Sequence, residues 1–83
     1  MIEKKDNIIW RNVDNETLFL DTSSGYYFSL NETGSQIWNW LSQGMSVEAV
    51  AGRLSKQYSV EPEIARTDVS ELLTTLKQEN IIQ

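Results

Sequence analysis

The hydrophobic period of this chain changes near residue 31, and that switch limits the fold more than any other feature. Up to Leu30, β-branched and aromatic residues stand in short runs parted by turn residues. Beyond it, apolar residues recur three and four apart. A period of two belongs to strands and one of 3.6 to helices, so the spacing predicts a sheet followed by helices. The strands are expected at about 7–13, 16–22 and 26–30.

Turn chemistry sets the expected pairing. Asp14-Asn15 tolerates positive φ, which predicts a two-residue hairpin loop that places Arg11 opposite Leu18 and Ile9 opposite Leu20. Ser23-Ser24-Gly25 reads as a three-residue loop with Gly in the left-handed position, pairing Leu20 with Phe28 and Leu18 with Leu30. That register gathers Ile9, Val13, Leu18, Leu20, Tyr26, Phe28 and Leu30 on one face, expected to be the core face. Ile8, Trp10, Phe19 and Tyr27 then lie on the outer face, where they either stabilise the sheet or receive a partner protein.

Asn31 is placed to cap a first helix with the stripe Ile37, Trp38 and Leu41, ending before Gly44. Ser46 caps a second, in which Val47, Val50, Ala51, Leu54 and Tyr58 share a face. Pro62 suits the first turn of a third, whose stripe is Ala65, Val69, Leu72 and Leu76 with Leu73 on its flank. Ile81-Ile82 is expected to fold back onto the core. The reading is an α+β fold, winged helix-turn-helix-like, with a three-stranded antiparallel sheet before three helices in one domain over residues 1–83.

Composition narrows the function. The chain has no histidine and no cysteine, which excludes disulfides, thiolate nucleophiles, imidazole bases, Ser-His-Asp triads and zinc sites of the usual ligand type. Asp68 and Glu71 stand three apart on the third helix, but neighbouring acids on a small helix make a solvated face rather than an acid–base pair. No Gly-rich phosphate loop is present. Neither catalysis nor a cofactor is expected.

The helical order invites a DNA-binding reading, and charge weighs against it. The net charge is −5, and the third helix carries Glu63, Asp68, Glu71 and Glu79 against Arg66 and Lys77. A recognition helix among phosphates needs the opposite sign. A winged-helix regulator or adaptor acting through protein contacts is the alternative. The first residues show no secretory signal and no stretch is long enough to span a membrane, so a cytoplasmic location is expected. Asn15-Glu16-Thr17 and Asn31-Glu32-Thr33 match the glycosylation sequon by coincidence of turn and cap residues.

Peptide binding fits better. A meander leaves strand 26–30 at a sheet edge, and Gly25-Tyr26-Tyr27-Phe28-Ser29-Leu30 contains no Lys or Pro to blunt it. Such an edge accepts an added strand, and the third helix is expected beside it.

The run Leu30-Asn31-Glu32-Thr33-Gly34-Ser35-Gln36-Ile37-Trp38 resembles the LN-x-T-G-x-x-IW signature of the PqqD-like family. Ser46-Val47-Glu48-Ala49-Val50-Ala51 is similar to that family's second-helix opening, and Asp68-Val69-x-x-Leu72-Leu73-x-x-Leu76 to its third-helix pattern. The resemblance runs from about residue 7 to residue 82. It implies a RiPP recognition element, a winged-helix-like domain that binds the leader of a ribosomally made precursor peptide. The leader joins the third strand and lies against the third helix. Carried over, the leader-binding residues are Tyr27, Phe28, Ser29, Leu30, Asp68, Val69, Leu72, Leu73 and Leu76. The pyrroloquinoline quinone branch has an LL-x-PE-like stretch, whereas Leu18-Phe19-Leu20-Asp21-Thr22 lacks the Pro and is more similar to standalone members of lasso-peptide pathways. The resemblance therefore implies a non-catalytic chaperone, a monomer or weak dimer. It would present the leader to a leader peptidase or another maturation enzyme, with no nucleic acid or membrane as partner. Many such leaders carry a Tyr and a Pro, which implies an aromatic and apolar ligand.

Overall fold

A computed structural model describes residues 2–83. Strands β1 (Ile8–Val13), β2 (Glu16–Asp21) and β3 (Tyr27–Leu30) precede helices α1 (Glu32–Ser42), α2 (Val47–Tyr58) and α3 (Pro62–Gln78). The sheet is antiparallel with order β1-β2-β3, leaving β3 at an edge. The expected class and element order therefore hold.

The first hairpin has the expected register, Ile9 opposite Leu20 and Arg11 opposite Leu18, with Asp14 at a left-handed φ of 57°. The second does not. Phe19 pairs with Phe28, Leu20 with Tyr27 and Leu18 with Ser29, one residue away from the expected pairing. The loop is four residues long, Thr22 to Gly25, because Asp21 already closes the hairpin: its N–H donates to the Tyr26 carbonyl at 2.9 Å. The Asp21 carboxylate organises the loop by accepting from the Ser23 N–H (2.9 Å) and from the Asn7 side chain (2.9 Å). The Asn7 amide first, then the Ser23 N–H, holds its pKa below the ordinary carboxylate value. Gly25, at φ 77°, supplies the left-handed step.

A slip of one residue moves a strand's side chains to the other face. The core face of β1 and β2 is accordingly the reverse of the one expected from the sequence. Ile8, Thr17 and Phe19 are buried, and Trp10 is half-buried beside them. Ile9, Val13, Leu18, Leu20 and Tyr27 point outward, Ile9 at 55% and Tyr27 at 61% exposure. Trp10 and Phe19 thus belong to the core, where both rings meet Trp38 edge-on at 5.6 and 5.1 Å.

Helix formation follows the expected caps. Asn31 accepts from the Gly34 N–H and Ser46 from the Ala49 N–H, and Pro62 opens α3. Asn80, at φ 62°, turns the chain after α3, so that the Ile81 N–H donates to the Leu76 carbonyl at 2.9 Å. Ile81 and Ile82 then enter the core. One apolar cluster joins the three helices through Ile37, Leu41, Val50, Leu54 and Val69. A second, of Ile8, Phe19, Leu30, Trp38, Leu76, Ile81 and Ile82, lies under the sheet. Trp40 is buried in the helical cluster with the Arg53 guanidinium over its ring at 5.3 Å.

Two features lock α1 onto the sheet. The buried hydroxyls of Thr17 and Ser35 hydrogen-bond to each other, and Thr17 also donates to Asn12 Oδ1 at 2.8 Å. Gly34 lies so close to β3 that a Cβ there would stand 3.3 Å from the Leu30 Cβ. Gly34→Val should therefore cost about 1–3 kcal/mol, the range for overpacking, read as a lower urea midpoint with an unchanged slope.

Candidate leader-binding edge

Backbone pairing decides what β3 presents. In an antiparallel ladder, alternate residues exchange both hydrogen bonds with their partner while the others point both groups away. The Asp21–Tyr26 bond sets that phase, so Phe28 and Leu30 face β2. The N–H and C=O groups of Tyr27 and Ser29 face the free side, where no strand pairs with them among the described residues. The observed edge, Tyr27–Leu30, thus offers four outward groups, all from two residues.

Helix rotation decides which part of α3 lies beside that edge. The Tyr26 hydroxyl donates at 2.6 Å to Oε1 of Glu79, the residue that follows α3. That acceptor raises the tyrosine's pKa. On the opposite flank, Arg66 donates to Glu48 of α2 at 2.9 Å. At about 100° per residue, Asp68, Leu72 and Thr75 share the flank that leads to Glu79, and Leu73 is nearer the flank of Arg66. Leu72, Leu73 and Phe28 are half-buried, and Asp68 is exposed.

The residues expected from sequence divide accordingly. Phe28 and Leu72 both pack against the apolar cluster under the sheet, and Asp68 is exposed on α3. Leu30, Val69 and Leu76 are enclosed in the apolar clusters. Leu73, like Leu72, packs against both apolar clusters. Glu79, which the Tyr26 hydroxyl reaches, was missed because it is not apolar and the expected stripe was chosen by apolarity. No group of three or more His, Cys, Asp or Glu residues is placed to hold a metal among the described residues.

A family model described as Coenzyme PQQ synthesis protein D (PqqD) matches residues 16–82. The chain belongs to the PqqD family. Two solved structures share its fold over nearly their whole length. One is described as lasso peptide synthetase B1 complexed with the leader peptide. It is 32% identical, with a TM-score of 0.93, covering 99% of this chain and 96% of its own. The other, TbiB1 in complex with the TbiA(beta) leader peptide, is 26% identical with a TM-score of 0.89, covering 98% and 94%. Comparison with curated proteins gave no match. No helix of this PqqD-family protein, among the described residues, is long and apolar enough to cross a membrane.

Proposed function

We propose that this PqqD-family protein binds the leader of a ribosomally made precursor peptide in a lasso-peptide pathway and presents it to a processing enzyme such as a leader peptidase. The observation that carries the reading is the unpaired β3 edge, in a fold shared with two proteins solved with leader peptides. The leader extends the sheet through the Tyr27 and Ser29 backbone groups, and its alternate side chains settle on Phe28 and Leu72. Asp68 faces a donor or cation of the leader. The protein itself contributes no catalytic group.

The acidic surface, net −5, also bears on this reading. It disfavours nucleic acid, whose phosphates call for the opposite sign, and the regulator alternative has no observation in its favour. Titration calorimetry with the cognate leader tests the assignment. Leu72→Asp should weaken binding about tenfold or more, since it sets a charge where apolar side chains must be desolvated. Thr75→Arg fills the same flank without opening the core and should do likewise, with its thermal midpoint near that of the unaltered protein. Unchanged affinity in both variants would sink the groove assignment.

A further inference from the structure

The hydrogen bond from Tyr26 to Glu79 joins two groups that strand pairing and apolar contacts leave unused. Glu79 is half-buried, and its Oε1 accepts from the phenol at 2.6 Å. Among the described residues its Oε2 accepts no hydrogen bond, and no cation pairs with it, the one salt bridge being that of Arg66 with Glu48. Lys77, in the last turn of α3, stands two positions earlier and so does not face it. Three sources of negative potential meet at this point. They are the carboxylate, the C-terminal end of the α3 dipole and the face of the Tyr26 ring, which is 48% exposed.

An added strand brings a side chain to this pair. The bond from the Asp21 N–H to the Tyr26 carbonyl carries the pleat of β3 back to Tyr26, which therefore shares its side-chain direction with Phe28 and Leu30. That direction is the helix side of the sheet, as the bond to Glu79 requires. A strand paired through the outward groups of Tyr27 and Ser29 has one residue opposite Phe28 and another, two positions along, level with Tyr26. Both turn their side chains to the helix side. Opposite Cβ atoms lie only about 4.5–5.5 Å apart, so a long side chain at the second position reaches the Tyr26 ring and the carboxylate. Asp68 stands about three turns earlier on α3, about 16 Å along the axis, and must be served by a different leader residue.

We propose that Tyr26 and Glu79 form a binding site for a lysine or arginine side chain of the leader, at the strand position level with Tyr26. The proposal deepens the leader-binding reading and rests on it. The cation pairs with Glu79 and lies against the Tyr26 ring. The phenol hydroxyl is a positioning group that holds the carboxylate in place. The net charge of −5 favours the approach of such a side chain.

Titration calorimetry with a synthetic peptide of the cognate leader, at about 50 mM and about 500 mM salt, tests it. Glu79→Gln keeps the shape and an acceptor for Tyr26 while removing the charge. It should weaken binding about threefold to tenfold at low salt and abolish most of the salt dependence. Tyr26→Phe should cost about twofold to threefold and keep the salt dependence, since the charge remains. Glu63→Gln removes the same charge from the first turn of α3 and should leave both quantities nearly unchanged. Thermal midpoints should stay near that of the unaltered protein, because the pair is partly exposed. Replacing each Lys or Arg of the leader by Gln should single out one position whose loss adds nothing to that of Glu79→Gln. Unaltered affinity and salt dependence in Glu79→Gln would overturn the proposal. So would additivity of Glu79→Gln with every leader substitution, or a bound leader segment that contains no Lys or Arg. Failure of the unaltered protein to bind leader removes the underlying reading instead, and its own titration reports that before any variant is compared.

Discussion

Truncating Phe19 to Ala is expected to remove about 3–5 kcal/mol of stability, the range for a buried aromatic, whereas Leu20→Ala should cost about 1 kcal/mol or less. Phe19 is 0% exposed, with its ring 5.1 Å from Trp38 and 6.4 Å from Phe28. A chain of 83 residues has a total stability of only about 4–12 kcal/mol at typical values per residue. The Phe19 variant should therefore lose a large share of its stability. Urea denaturation followed by tryptophan fluorescence measures both changes. The comparison also discriminates between registers: with the three-residue loop, Leu20 would be the buried residue and the order of effects would reverse.

A second large effect is expected at the edge. Ser29→Pro removes an N–H that points away from β2 and so breaks no ladder bond of the free protein, a position where edge strands accept proline. Folding should be retained. Leader affinity should fall about tenfold or more, since one strand-pairing bond is lost and the ring obstructs the incoming strand. Phe28→Pro makes the contrast, because its N–H faces Phe19 on β2 and its loss should destabilise the fold itself. Calorimetry beside a thermal melt reads both variants. Leader binding by the Ser29→Pro protein at full strength would exclude strand addition at β3, leaving only side-chain contacts.

Family and architecture were legible in the chain because both rest on local signals. The caps Asn31 and Ser46, Pro62 at the start of α3 and the change of period near residue 31 each act within a few residues of themselves. The Leu30–Trp38 run could be read as a unit for the same reason. Gly34 within it has a reason the sequence does not display, the 3.3 Å approach of its missing Cβ to Leu30. Ile81-Ile82 was expected in the core and is there, although Asn80, whose left-handed conformation returns them, gave no apolar signal.

The candidate site was legible only in part. The free edge followed from strand order, which three consecutive strands and two short loops nearly dictate. Which α3 side chains flank that edge did not follow, because an amphipathic stripe fixes the buried direction of a helix but not which neighbour lies on either side. The Tyr26–Glu79 bond and the Arg66–Glu48 pair mark those sides, and both join residues distant in sequence.

The sequence by itself determined the kinds of element, their order, their caps and the absence of imidazole and thiol chemistry. Tertiary structure alone decided which face of the sheet is buried. Strand pattern permits either register here, since both faces of β1 and β2 carry large apolar residues. The choice turned on one residue of loop length, set by Asp21 closing the hairpin and by the fit of Phe19 and Trp10 around Trp38. With a side-chain period of two, that single residue was enough to turn Ile9, Leu18 and Leu20 outward.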